Sequence, residues 1–181
     1  KRVALLLGAL ALLAAGSTRA QESAPLRLVQ TIALSNVEGR IDHLAVDLKG
    51  QRLFVAGLGN NSVEIVDLRT GTRVRSLRGF HEPQGVAFIE SLERLFVSNG
   101  GSGAVNSFDS ENLQPLAAVK FSGDADNVRY EAAAGQLYVG YGEGALGIVD
   151  AKDGKQVGEV KLARHPESFQ LEDTGARIFV N

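Results

Sequence analysis

Side chains that could bind or transfer protons are concentrated in four short loops of this 181-residue chain. All three histidines of the sequence lie in these loops, together with five carboxylates. Imidazole and carboxylate groups can bind cations, exchange protons or coordinate a metal ion. The loops are residues 39–43, 81–85, 123–127 and 164–168. The candidate binding residues taken from them are Arg40, Asp42, His43, His81, Glu82, Asp124, Asp126, Asn127, His165 and Glu167.

Three interpretations of these loops are open at this point. If the loops surround one axis, they form a polar ring that binds a small molecule, a cation or a loop of a protein partner. If they are only a solvated rim, their polarity needs no ligand. A divalent metal site is the third interpretation, although no two histidines have the local spacing of metal ligands. The sequence therefore predicts binding residues, with no catalytic residue assigned and no resident cofactor.

Other motifs in the chain favour structural roles. The glycine-rich run at 99–103 has no following lysine or helix, so it does not predict a phosphate-binding loop. The sequence contains neither a Gly-x-Ser-x-Gly elbow nor a His-Glu-x-x-His motif. Asp67, Asp109 and Asp150 recur at one register of a repeat, which predicts that they cap turns.

Arg129 is an unusual residue because it falls inside an apolar strand pattern. A buried guanidinium needs a carboxylate partner. We therefore expect Arg129 to pair with Asp126 or Glu172.

Composition restricts the class of protein and of partner. With 44% hydrophobic and 22% charged residues, the chain is typical of a globular protein and not of a disordered one. The formal net charge is −2, and three basic residues without any acid fall within positions 1–20, so the remaining chain is more acidic. A mildly acidic body argues against nucleic acid as the main partner, because binding to phosphates needs a basic face.

The first 20 residues have the pattern of a signal peptide. Lys1 and Arg2 precede an apolar run over 3–15, and small residues stand before a cleavage site after Ala20. This run of 13 residues is shorter than the roughly 20 needed to span a bilayer. We expect an exported bacterial protein, periplasmic or secreted, with no membrane anchor after cleavage.

The rest of the chain, residues 21–181, repeats with a period of about 42 residues. Four segments are similar to one another at steps of 42, 42 and 41: Arg52–Val55, Arg94–Val97, Gln136–Val139 and Arg177–Val180. Short runs rich in Val, Ile, Leu and Phe alternate with turn pairs that tolerate positive φ, which indicates strands. Four strands per unit at this period are typical of a β-propeller blade. The sequence predicts an all-β propeller of four-stranded antiparallel blades, at about 41–80, 83–122 and 125–163, with the start of another at 166–181.

Two repeated motifs carry a resemblance to a known family. The first occurs three times, at Leu53–Gly57, Leu95–Asn99 and Leu137–Gly140, and resembles the Tyr-Val-Thr-Asn core of the bacterial YVTN-type β-propeller repeat family. The second, apolar-Asp-x-x-(Thr/Asp)-Gly, stands at Val66–Gly71 and Val149–Gly154. The middle repeat departs from it, with Asn112-Leu113 in place of Thr-Gly.

The resemblance covers residues 26–181 and implies a ring of about seven blades, of which these residues form about three and a half. It also implies that the ring closes through an N-terminal strand, for which Leu26–Leu34 has the right pattern. On this interpretation the chain is an incomplete propeller.

The resemblance is specific for a fold and weak for a function, because this superfamily includes binding proteins, lactonase-like hydrolases and electron-transfer subunits. We expect an exported, non-enzymatic binding or scaffold protein that presents a polar channel mouth to a ligand or protein partner. A lactonase-like metal-dependent hydrolase is the first alternative, with the channel histidines and acids holding the metal. A docking subunit of a periplasmic redox complex is the second. Any cofactor would then belong to the partner, because the chain has no cysteine to attach a haem.

Overall fold

The computed structural model describes residues 26–181, so the predicted signal peptide at 1–20 lies outside the described residues. Within 26–181 there is no helix with the length and apolar character needed to cross a membrane. The described chain forms strands and two short 3-10 turns. The strands are β1 (Leu44–Asp47), β2 (Arg52–Gly57), β3 (Ser62–Asp67), β4 (Thr72–Arg78), β5 (Pro83–Ile89), β6 (Arg94–Asn99), β7 (Ala104–Asp109), β8 (Pro115–Lys120), β9 (Ala125–Glu131), β10 (Gln136–Tyr141), β11 (Ala145–Asp150), β12 (Gln156–Lys161), β13 (Phe169–Leu171) and β14 (Ile178–Val180).

Each set of four consecutive strands forms one antiparallel sheet, in the orders β1-β2-β3-β4, β5-β6-β7-β8 and β9-β10-β11-β12. Strands β13 and β14 pair as a two-stranded sheet. Sequential pairing follows from the short turns, since such a turn joins only neighbouring antiparallel strands. The expected all-β architecture of four-stranded antiparallel sheets is confirmed.

The three recurring aspartates cap the turns that leave the third strand of each sheet. Asp67 Oδ1 accepts a hydrogen bond of 2.8 Å from the backbone N–H of Arg69. Asp109 Oδ1 accepts a bond of 2.9 Å from the backbone N–H of Asn112, three residues later. Asp150 Oδ1 likewise accepts a bond of 2.7 Å from the backbone N–H of Asp153. This is the structural role predicted from their common register.

The sheets stack face to face through two apolar cores. Between the first and second sheets lie Phe54, Val63 and Ile65 from one side and Leu95 and Val97 from the other. The core between the second and third sheets contains Phe96, Val105, Val128, Leu137 and Val139. The innermost strands β1, β5, β9 and β13 are successive neighbours in this stack. Because these strands lie side by side, the loops that precede them meet at one end of the molecule.

Arginines at the start of the second strand connect neighbouring sheets. Arg52 Nη1 donates to the carbonyl oxygen of Ser110 in the next sheet. Arg94, 42 residues later, donates to the carbonyl oxygens of Ala151, at 3.0 Å, and of Lys152. Each arginine therefore adds a polar connection to an interface that is otherwise apolar.

Residues 26–34 form no strand in the structure, and the side chains of Leu26, Leu28 and Val29 are exposed. A strand needs a neighbour to accept its backbone hydrogen bonds, and no described strand pairs with this segment. A ring-closing role for this segment therefore stays a prediction.

Candidate functional site

A polar pocket of about 490 Å³ lies where the loops before the innermost strands meet. It is lined by Arg40, Ile41, Asp42, His43, Gln84, Asp124, Asp126, His165 and Glu167. Seven of the ten candidate residues are in this lining. The pocket therefore brings together side chains from four loops that are far apart in the sequence.

Three candidates lie outside the lining: His81, Glu82 and Asn127. The His81 N–H donates to Asn99 Oδ1 at 3.2 Å, and the Glu82 N–H donates to Asn61 Oδ1 at 2.8 Å. Glu82 also has a left-handed backbone, with φ of 53°. These bonds and this turn hold the backbone of His81 and Glu82 against the hairpin ends beside them, and neither residue lines the pocket. Gln84, which was not a candidate, is the residue of this loop that lines the pocket.

Asn127 is buried beside the pocket and has a positioning role. Its Nδ2 donates to the backbone carbonyl of Glu167 at 2.7 Å. This bond holds the loop before β13 against strand β9, and so fixes the place of Glu167 at the rim.

Asp126 is the most buried carboxylate of the pocket, with 10% of its side chain exposed. Its backbone is fixed by Ser98, whose Oγ donates to the Asp126 carbonyl and accepts a 2.8 Å bond from the Gly85 N–H. A Cβ atom at Gly85 would lie only 2.3 Å from that same carbonyl oxygen. Glycine is therefore required at 85 for β5 to approach β9 closely enough to hold Asp126.

The Asp126 carboxylate lacks the partners that a buried acid usually has. Its Oδ1 has no hydrogen-bond partner, and its Oδ2 lies 3.9 Å from His165 Nε2. Burial raises the pKa of Asp126 to about 6, with the charges of Asp42 and Asp124 adding to the rise and those of His43 and His165 opposing it. A carboxyl group with such a pKa gains and loses its proton close to neutral pH.

His165 has a defined orientation in the pocket. Its Nδ1 lies 2.6 Å from the carbonyl oxygen of Gly142, and a carbonyl can only accept, so Nδ1 carries the proton. Its Nε2 is then turned to the carboxylates, 3.8 Å from Asp124 Oδ2 and 3.9 Å from Asp126 Oδ2. The Gly142 N–H donates to the Asp124 carbonyl oxygen at 3.1 Å, and this bond connects the turn after β10 to the loop before β9.

Asp42 and His43 are held by backbone bonds that continue the β1–β2 ladder. The Asp42 N–H donates to the Ala56 carbonyl oxygen at 2.9 Å. The Ala56 N–H donates to the His43 carbonyl oxygen at 3.0 Å. Asp42 Oδ2 accepts a 2.6 Å bond from Arg40 Nη2. His43 Nδ1 lies 2.9 Å from Asp42 Oδ1 but is buried without an aligned hydrogen bond. The imidazole of His43 therefore lies within ion-pair distance of the Asp42 carboxylate.

Arg129 does not form the ion pair expected from the sequence. Its Nη1 donates to the carbonyl of Val128 at 2.9 Å, and its guanidinium lies 5.7 Å from the ring centre of Phe169. Glu172 instead pairs with Arg177. Burial lowers the pKa of Arg129, and the charge of Asp126 opposes that effect. The stacking on Phe169 takes the place of the predicted carboxylate.

The pocket can attract cations and exchange protons. Its lining has four carboxylates, two imidazoles and one guanidinium. Among residues 26–181, no group of three or more His, Asp or Glu side chains is arranged to hold a metal ion.

Sequence reasoning missed Ser98 and Gln84, two polar residues that position Asp126 and Asp124. The Gln84 Nε2 donates to Asp124 Oδ1 at 2.9 Å. Ser98 could have been found from its register, because the other two complete repeats have Ala56 and Gly140 at this position, neither of which has a polar side chain.

Comparison with known proteins supports a fold for this chain and identifies no family. No protein-family model and no curated protein sequence matches the chain. Among the solved structures that do match is hydrazine synthase of Kuenenia stuttgartiensis, with a TM-score of 0.68 and 19% sequence identity over 81% of this chain. The chain spans 44% of the length of that protein chain. Together with the stacked four-stranded sheets, this likeness shows a propeller-like all-β fold.

Proposed function

We propose that this chain belongs to an exported, non-enzymatic β-propeller of the YVTN type that binds a small polar ligand at its channel mouth. The observation that carries the proposal is the meeting of acids and imidazoles from separate loops in one pocket of about 490 Å³. Sites for small molecules have volumes of roughly 300–1,000 Å³ and a few converging polar groups. A rim that was only solvated would not need its acids positioned by buried Ser98 and Gly85.

A ring of about seven blades fits the consecutive order of strands in each sheet and the neighbouring innermost strands. Export to the periplasm or the medium is supported by the charge and hydrophobicity of residues 1–20. Under this proposal the pocket faces the central channel, where a ligand reaches it from solvent.

One observation favours a second candidate, a lactonase-like hydrolase. The raised pKa of Asp126 beside His165 is typical of a general base that could activate water. If the protein is such a hydrolase, it should open a lactone, and this activity should depend on Asp126 and His165. If it binds a ligand without converting it, it is a binding protein.

The test is a screen of polar small molecules and lactones against the full-length protein by thermal shift and calorimetry. The double variant His43→Ala/His165→Ala should lose at least tenfold in affinity for any ligand found, because it removes both imidazoles of the pocket. The matched control is His81→Ala, which removes a histidine outside the lining and should bind like the wild type.

Two results would contradict the proposal. One is the absence of any ligand for the wild-type protein. The other is an equal loss of affinity in His81→Ala and in the double variant.

A further inference from the structure

Two buried acceptor oxygens at or beside the pocket have no hydrogen-bond partner: Asp126 Oδ1 and Asn127 Oδ1. The Asn127 amide oxygen can only accept a hydrogen bond, and so can the Asp126 oxygen when that carboxyl group is ionised. A buried acceptor without a hydrogen-bond partner destabilises the fold, because it has lost its hydrogen bonds to water. A ligand that brings N–H or O–H donors to these atoms would therefore be favoured.

The charges of the lining define the ligand further. Arg40 is the permanent cation among the lining residues, and it is bonded to Asp42. Asp124 accepts a bond from the neutral amide of Gln84, and Asp126 has no partner on Oδ1. Glu167 adds a further carboxylate at the rim. Asp124, just before β9, and Asp126, within β9, are thus without a fixed cation, in a pocket far larger than a single ion.

We propose that the ligand of this pocket carries a cationic nitrogen group with N–H donors, a primary ammonium or a guanidinium, which is bound by the Asp126 carboxylate with Asp124 and Glu167 beside it. The inference rests on the proposed function, because it names the chemical class bound at the same site. A cation without N–H donors would leave Asp126 Oδ1 unsatisfied. A neutral donor would leave the carboxylates without a counter-charge.

Calorimetric titration of the full-length protein near pH 7.5 tests this with probes that share one butyl chain. We expect n-butylguanidinium or n-butylammonium to bind at least tenfold more tightly than butyltrimethylammonium, which lacks N–H donors, and than neutral n-butylurea. Separate titrations with Mg²⁺, Ca²⁺ and Zn²⁺ measure the affinity of bare divalent cations.

The variant Asp126→Asn should reduce the affinity for the cationic probe at least tenfold. Asp124→Asn, with 51% of the Asp124 side chain exposed, should fold normally and weaken binding by a smaller factor. Asp153→Asn changes an exposed acid in a distant turn and should leave the affinity unchanged.

The results separate this inference from the proposed function. If butyltrimethylammonium, butylurea or a divalent ion binds at the pocket as tightly as the donor-bearing cations, the inference is wrong and a binding pocket remains. The inference also fails if Asp126→Asn and Asp124→Asn both bind the cation like the wild type. If no compound of any charge binds, both the inference and the proposed function are wrong.

Discussion

At the scale of single residues, Asp126 couples protonation to the stability of the fold. Its pKa is about 6 in the folded protein, against an ordinary value of 3.8. The folded state therefore retains a proton that the unfolded state has lost between these two values. Asp126 makes the fold less stable as the pH rises through this window, and the penalty remains in full above it.

Asp126→Asn should remove this pH-dependent penalty. Relative to the wild type, its free energy of unfolding should rise by about 1–2 kcal/mol between pH 4 and pH 7, after allowance for solvent screening in an open pocket. Urea unfolding at several pH values measures this difference. Five other charged or titratable groups face Asp126: Asp42, Asp124, His43, His165 and Arg129. Their own contribution to the pH dependence of stability is present in both proteins, so the comparison with the wild type removes most of it.

Asp153→Asn, an exposed acid outside the pocket, should give a constant difference from the wild type across this range. Curves for Asp126→Asn that run parallel to the wild type at every pH would show that Asp126 has no raised pKa.

The sequence predicted most of the pocket at this scale because the 42-residue period places equivalent loops at one end of the sheets. It could not predict that His81 and Glu82 are absent from the lining of the pocket. The backbone of this loop is set by a left-handed Glu82 and by side-chain acceptors on Asn61 and Asn99. These contacts depend on how two neighbouring sheets meet, which the spacing within one loop does not encode.

At the scale of elements, the turn before β8 shows how a departure from a motif is accommodated. Leu113 has φ of 63°, close to the 64° of Gly71 and the 67° of Gly154 in the other sheets. A left-handed backbone costs a residue with a Cβ roughly 1–2 kcal/mol. The Leu113 side chain is buried in the core between the first and second sheets, which offsets this cost. The sequence showed the missing glycine, but only the packed core explains why leucine is tolerated.

Two substitutions at this position should separate the backbone cost from the loss of packing. Leu113→Ala keeps the strained backbone and loses the buried side chain, so it should destabilise the protein by about 2–5 kcal/mol. Leu113→Gly loses the same packing but relieves the strain, so it should be about 1–2 kcal/mol more stable than Leu113→Ala. Urea denaturation of both variants measures the order.

Leu48, an exposed leucine in the turn between β1 and β2, provides the control. Leu48→Ala should change the stability by less than about 0.5 kcal/mol. If Leu113→Gly is the less stable of the two variants at that position, the left-handed backbone carries no cost there.

At the scale of the whole molecule, the sheets are held by the apolar cores between them and by the arginines that connect neighbouring sheets. The period predicts four strands per sheet and the face that each strand presents. The number of blades in a ring depends on the angle between neighbouring sheets, which the residues of one repeat do not specify. Arg52 and Arg94 share a register, but their acceptors are backbone carbonyls of the next sheet and have no sequence signature.

The first sheet has an apolar face that the described residues leave partly uncovered. Leu44 and Val46 pair with Val55 and Leu53 in the antiparallel register, so these four side chains share a face. Ala45, between them, is on the opposite face and packs against the core with the second sheet. Leu44 and Val46 are 54% and 45% exposed. Contiguous exposed apolar surface of this kind marks a contact surface for another part of a protein or a partner.

The polypeptide of residues 26–181 alone should therefore bind a fluorescent apolar dye in its folded state. The double variant Leu44→Ser/Val46→Ser should reduce that fluorescence several-fold, because it makes the centre of the apolar face polar. Val74→Ser is the matched control, since Val74 is 58% exposed but lies between two arginines on the outer strand β4, and it should leave the signal unchanged. Dye fluorescence at the level of an ordinary folded globular protein would show that this face is covered, and an equal decrease in the control would place the bound dye elsewhere.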